Sequence, residues 1–193
     1  MAGAPLFSAE KCALIVIDVQ DYFLAKLPHD WRTPLVERIA WLMQVASLLD
    51  IPVIATAEDI ASDGPLVPAL EKQLRAGASV HDKKVFGLSG QADILDAVRG
   101  TGRSECVVVG LETDVCIAHS ALGLIDQGFR VAKAAPHFFG QMRREGAQDQ
   151  HKRPQQRARE LGPALRLVDE NHHGRDGRVV LHFFDVVADL LDG

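Results

Sequence analysis

Cysteine is scarce in this sequence. Cys12, Cys106 and Cys116 are the only three in 193 residues, and no two stand in a CxxC spacing. That excludes a thioredoxin-like dithiol and a zinc ribbon. A sparse, odd set of thiols fits a reducing compartment. Surplus positive charge is missing as well: 21 Lys and Arg face 26 Asp and Glu, a net charge of −5. A nucleic-acid binder needs excess cations to displace counterions from phosphate, and so does a polybasic membrane binder. Neither nucleic acid nor a membrane is therefore an expected partner. No apolar run approaches the ~20 residues that span a bilayer, and the opening MAGAPLFSAEK has no basic-then-apolar leader pattern. A cytoplasmic location follows by elimination. Glycine-rich phosphate loops are absent too. There is no GxxxxGK[ST] and no GxGxxG after a strand, which speaks against a P-loop ATPase and a dinucleotide-dependent dehydrogenase.

What is present is alternation. With 47 % apolar and 24 % charged residues, the chain has the balance of one globular domain over residues 1–193. ALIVIDV (13–19) is short, nearly all apolar and rich in branched residues, as in a strand covered on both faces. Thr33-Pro34 reads as a helix start, followed by an apolar stripe of Leu35, Ile39, Leu42, Ala46 and Leu49. IPVIAT (51–56) is a second strand, residues 65–74 a short helix, and residues 78–81 a weak third strand. Ser89 is placed to cap a helix carrying Ile94, Leu95 and Val98. ECVVVG (105–110) is a buried strand. A helix is expected from Asp114 to about Gln127, stopped by Gly128, and FRVAKAA (129–135) is a further strand. Such alternation implies a parallel sheet with crossover helices on both faces. Residues 141–160 hold six basic residues against three acidic. They read as a solvated helix or loop, or as an arm that packs on a partner subunit or binds an anion. NHHGRDG (171–177) is turn-rich, RVVLHFF (178–184) reads as a strand and 185–191 as a closing helix.

Ligands of open parallel sheets bind beyond the carboxyl ends of the strands. Three chemically able residues follow the apolar runs there: Asp18 ends the first strand, Lys83 follows the weak strand, and Cys116 lies six residues after Gly110 at a helix start. A helix N-terminus and a nearby ammonium favour the thiolate form of a cysteine. A carboxylate on a buried strand end can take the thiol proton and return it to a leaving amine. The loop between Gly110 and Cys116 offers N–H groups for an oxyanion. Each residue has a plainer role open to it: an inert packed thiol, a helix cap, a solvated lysine in a DKK run. Cys12 and Cys106, both in strands, read as packing.

ALIVIDVQDYF, DKKVFGLSG and VVVGLETDVCIAHSAL resemble the isochorismatase-like cysteine hydrolases. Those proteins have an apolar strand ending D-x-Q-x-x-F, a Lys with an aromatic three positions on, and G-x-x-T-x-V-C at a strand-to-helix turn. The likeness runs from about Ala13 to Ala135 and fades beyond. It implies an Asp18–Lys83–Cys116 triad, with Lys83 preferred to Lys84 because Phe86 stands three residues after it. It further implies a three-layer α/β/α fold with a mostly parallel, Rossmann-like sheet, no cofactor, a small-molecule substrate, and a homo-oligomer of two or more chains; residues 141–177, beyond the likeness, are an atypical segment for which a place in the oligomer is one reading. A cis peptide bond is expected at Leu111–Glu112, with the N–H groups of Glu112 and Cys116 as the oxyanion hole. Gln20 and Phe23 fall at positions often near the family's pocket, and Phe86, an aromatic in a loop at the sheet edge, is a further candidate for its wall.

The sequence also departs from the family pattern. Nicotinamidases of this superfamily carry a D-x-H metal motif after the second strand. Here Asp59 is followed two residues later by Ala61, so no metal site is expected. Ala134-Ala135 replaces an Asp-Ala common after the later strand. Glu112 is large and acidic for its place and would narrow the pocket or repel an anion. His137 stands at the correct sheet edge for a pocket residue, His119 reads as structural, and His172-His173 as exposed. The expected activity is hydrolysis of a small amide, carbamoyl or related C–N bond through a thioester. The alternatives are an isochorismatase-type ether hydrolase that does not need the thiol, and a non-catalytic binding or assembly protein on the same fold.

Overall fold

A computed structural model of the chain describes residues 7–133. His137, Ala134-Ala135 and everything expected of residues 141–191 lie outside the described residues. Within them the expected strands all form: β1 (Cys12–Ile17), β2 (Val53–Glu58), β3 (Val80–Lys83), β4 (Glu105–Gly110) and β5 (Arg130–Lys133). They build one sheet in the order β3-β2-β1-β4-β5, with every pair parallel. The chain therefore winds outward from β1 in one direction and then restarts beside β1 on the other. The junction between β1 and β4 is the switch point at which such sheets open a crevice.

Alternation along β1 divides the core into two halves. Cys12, Leu14 and Val16 face α1 (Asp21–Leu24) and α2 (His29–Leu48) and pack with Ile39, Leu42 and Met43. Ala13, Ile15 and Ile17 face the opposite layer, where α5 (Ala92–Gly100) and α6 (Ala118–Asp126) contribute Ile94, Val98 and Leu124. The short helices α3 (Ile60–Asp63) and α4 (Pro68–Glu71) join β2 to β3. Among the described residues no helix is long and apolar enough to cross a membrane.

Three local expectations are corrected. Helix α2 starts at His29 rather than at Pro34, because Pro28 ends the preceding segment and Pro34 is tolerated in the second turn. The carbonyl it leaves without an N–H belongs to Asp30, at an exposed turn where water can satisfy it. Ser89 does not cap α5, whose flanking residue is Gln91. It lies in a one-turn 3-10 helix (Leu88–Gly90) against Gly123, where a β-carbon would sit 1.9 Å from the Ser89 hydroxyl. The helix after β4 begins with a π-helical turn (Thr113–Ile117) before α6, a distortion that recurs at functional sites. The stop at Gly128 is as expected, with φ at +91°.

Candidate active site

The strand register brings the carboxyl ends together. Ile17 pairs with Thr56 on one side and with Gly110 on the other, and Glu58 pairs with Lys83. The residues that follow or end these strands consequently share one margin of the sheet. Asp18 turns out of β1 with φ at +53°, a left-handed conformation that a non-glycine residue rarely adopts and that is found where surroundings enforce it. Its last main-chain link to β2 is the N–H donated to the Thr56 carbonyl, 3.1 Å away. Gly110 approaches the Ile17 backbone so closely that a β-carbon would lie 1.9 Å from its carbonyl oxygen, and its φ is +141°. Only glycine fits there. The peptide bond that follows, Leu111–Glu112, is cis, and it leads into the turn holding Cys116.

Asp18, Lys83 and Cys116 converge around this point, and all three are buried. The Lys83 ammonium lies 3.0 Å from Asp18 Oδ2 and 3.7 Å from Cys116 Sγ, and it donates to the Val85 carbonyl at 2.7 Å. Asp18 Oδ1 accepts the Thr56 hydroxyl at 2.7 Å. Lys84 does not share the site: it is exposed and pairs with Asp59 and Asp82 at the surface.

A fourth group, Glu58, which is not among the residues expected from sequence, completes the cluster. Glu58 Oε2 lies 2.8 Å from Lys83 Nζ and accepts the Cys116 thiol at 2.9 Å. Residues 56 and 58 point to the same face of β2 because side chains alternate along a strand. Two polar residues in that spacing at the end of an otherwise apolar strand were the available signal. Asp18, Glu58 and Cys116 offer donor atoms within 4.8 Å of one another. The cation already placed among them is the protein's own ammonium.

Charge states follow from these contacts. Burial raises the Asp18 carboxyl, outweighing the opposing pull of Lys83 and the Thr56 hydrogen bond. Burial also acts to raise Glu58, but hydrogen bonds from Cys116 and Lys83 prevail and hold it below the usual glutamate range. For Lys83, burial works to lower its value, and Asp18 and Glu58 together more than reverse that. The Cys116 thiol is pushed up by burial and by its hydrogen bond to Glu58, against the pull of Lys83. This overturns the expectation that the helix start and the lysine would leave a depressed thiol: the nearest group to the sulfur is an anion. Cys12 and Cys106, deep in the two core halves, are both pushed up to about 12 by burial.

The remaining expected residues distribute around this centre. Gln20 is fully buried. Its amide nitrogen donates to the carbonyls of Glu58 at 2.8 Å and Gly64 at 2.7 Å, and its oxygen accepts the Glu58 N–H at 2.7 Å. It holds the acid's backbone and has no N–H left for a ligand. Phe23 packs in the core beside α2. Phe86 is exposed, with its ring 6.1 Å from that of His119, which also lies at the surface. Glu112 is paired with Lys26 at 3.0 Å, so an ammonium stands beside its charge.

The chain is also similar to known proteins in sequence and in fold. The isochorismatase-domain family profile matches residues 12–135. The "probable hydrolase YcaC" of Escherichia coli strain K12 is 26 % identical over 140 residues, 71 % of this chain and 67 % of that protein. Its solved structure, an octameric hydrolase of unknown specificity, superposes with a TM-score of 0.63 over 70 % of this chain and 67 % of that one. Isochorismatase domain-containing protein 2B of Mus musculus is 34 % identical over 123 residues, covering 63 % of this chain and 55 % of the mouse protein. YcaC from Pseudomonas aeruginosa, solved with hexane-2,5-diol and covalent acrylamide, shares the fold at a TM-score of 0.63 and 24 % identity, over 70 % of this chain and 68 % of that one. The chain thus spans little more than half the length of the mouse relative and about two thirds of the bacterial ones.

Proposed function

Because the chain belongs to the isochorismatase family, we propose that it is a cofactor-independent cysteine hydrolase of a small amide, carbamoyl or related C–N substrate. The observation that carries this reading is the meeting of one thiol, one ammonium and carboxylate groups at the switch point of the sheet. Cys116 Sγ attacks the substrate carbonyl. A carboxylate of the cluster takes the thiol proton and returns it to the leaving amine, the role that the family resemblance gives to Asp18. Lys83 stabilises the thiolate as it forms. The N–H groups of Glu112 and Cys116 receive the oxyanion, supplying charge stabilisation where it develops. Water, deprotonated by a carboxylate, then cleaves the thioester and releases the acid, and the sulfur regains its proton. The octameric state of E. coli YcaC supports a homo-oligomer for this chain as well.

A panel of small amides and carbamoyl compounds, followed by intact-mass spectrometry, tests the reading. The expected result is turnover with a transient acyl adduct on Cys116, and loss of both in Cys116→Ala. Turnover of a vinyl ether that survives Cys116→Ala would replace this reading with an ether hydrolase. Absence of turnover and adduct across the panel would replace it with a binding protein.

A further inference from the structure

The family resemblance assigns the thiol proton to Asp18, yet the hydrogen bond of the thiol runs elsewhere. Among the described residues, Cys116 Sγ donates to Glu58 Oε2 at 2.9 Å, and no hydrogen bond joins it to Asp18. Of the Asp18 oxygens, Oδ1 accepts the Thr56 hydroxyl and Oδ2 faces the Lys83 ammonium at 3.0 Å. The two acids also differ in access. The Asp18 side chain is completely buried, whereas that of Glu58 is 20 % exposed. A group that must hand a proton to a departing amine has to reach the opening where the amine leaves, and of the two acids only Glu58 has an exposed surface.

We propose that Glu58 is a catalytic residue: it accepts the Cys116 proton and delivers it to the leaving nitrogen, while Asp18 is the fixed partner of Lys83. This rests on Cys116 being the nucleophile. In the acylation step the S–H bond breaks and its proton moves to Glu58 Oε2. The sulfur pair forms the S–C bond, and the carbonyl π pair moves to oxygen. When the oxyanion collapses, the C–N bond breaks and nitrogen takes the proton from Glu58. Net charge within the cluster does not change during the first transfer. One negative charge moves from a carboxylate to a sulfur, and both atoms lie within 3.7 Å of the same ammonium. Glu58 is held below the usual glutamate range, so it is ionised and able to accept a proton. The thiol is held up, so that thiolate formed by loss of a proton to bulk water is scarce. A hydrogen-bonded carboxylate can take the proton as the sulfur attacks, without a free thiolate forming first. The charged and titratable groups facing Glu58 are Cys116 from the turn after β4, Lys83 from β3, Asp18 from β1 and Lys26 from the α1–α2 connection.

The pH dependence of Cys116 alkylation by iodoacetamide separates the two acids without knowledge of the substrate. It is followed site by site by mass spectrometry in the wild type, Glu58→Gln, Glu58→Asp and Asp18→Asn. With Glu58 as the internal base, the wild-type rate is nearly flat from about pH 6 to about pH 9, because the proton acceptor is ionised throughout. In Glu58→Gln the thiol must titrate to water, and the rate rises with pH over that span, by up to about tenfold per unit where the thiol is mostly protonated. Glu58→Asp keeps the charge but withdraws the carboxylate by one methylene, and it follows Glu58→Gln. Asp18→Asn keeps the flat profile. A flat profile in both Glu58 variants, or its loss in Asp18→Asn, overturns the assignment and returns the role to Asp18. Labelling of wild-type Cys116 no faster than that of Cys12 and Cys106 overturns the nucleophile itself, a different failure with a different signature.

Discussion

Replacing Lys83 by methionine keeps most of the side-chain volume and removes only the ammonium. In the folded protein that charge has no exposure to solvent and touches Asp18, Glu58 and the Val85 carbonyl. Deleting one partner of a buried ion pair costs about 3–5 kcal/mol, since the other charge is left uncompensated. For a chain of 193 residues each kcal/mol moves the melting temperature by about 2–4 °C, so a fall of roughly 6–20 °C is expected. The loss depends on pH in a direction that can be worked out. Burial already raises Asp18 above its ordinary value, and without the lysine it rises further. The folded variant then holds a proton that the unfolded chain gives up above about pH 4, so its stability falls as pH rises. In the wild type the other two charges are quiet over this range. The lysine contribution, with its folded value raised, is complete below about pH 10 and is lost only as pH rises through the folded value. The Glu58 contribution, with its folded value lowered, is present above about pH 4 and is lost as pH falls through it. Melting curves of wild type and Lys83→Met at about pH 5 and about pH 8 should therefore diverge toward the higher pH. Adding Asp18→Asn to the variant should recover part of the loss. A deficit that is equal at both pH values, together with an Asp18→Asn that adds to the damage, would refute the account of the cluster as a charge-compensated group.

Two further outcomes can be checked with similar means. Thr56→Val removes the hydroxyl that Asp18 Oδ1 accepts at nearly constant shape. It should cost about 1–3 kcal/mol in denaturant unfolding, with more lost at neutral than at acid pH because the anion is what the hydroxyl stabilises. Gly110→Ala places a methyl group within 1.9 Å of the Ile17 carbonyl and should abolish soluble, cooperatively melting protein. A well-folded variant would show that the β1–β4 junction is looser than described.

Much of the fold was open to reading because parallel strands buried on both faces announce themselves as apolar runs. The bounds expected of β4 match its Glu105–Gly110 span; Asp18, Lys83 and Cys116 are candidates because they follow strands, and Lys83 is preferred to Lys84 on the family resemblance. What could not be read were features that depend on partners distant in sequence. An acidic residue ending a strand looks like a solvated charge, and only the register that sets Glu58 beside Lys83 and opposite Cys116 gives it a function. Its neighbour Asp59, which matches the first position of the D-x-H motif, is spent on a surface pair with Lys84. The π-helical turn around Cys116 leaves no periodic trace, since five residues are too few to distinguish its pitch from that of an α-helix. The start of α2 was hidden by a proline inside a helix, where local preference and tertiary packing disagree and packing prevails.

Gln20 gives the molecule an unusual kind of seam. Where the main chain of β1 turns away at Asp18, the carboxamide of Gln20 takes over the pairing and bonds the Glu58 peptide on both its N–H and its carbonyl, as one more strand residue would. The aim of the acid toward the sulfur is therefore inherited from a side chain on the neighbouring strand's exit. Any drift of the corner between β1 and α1 is transmitted along one amide to the oxygen that meets Cys116.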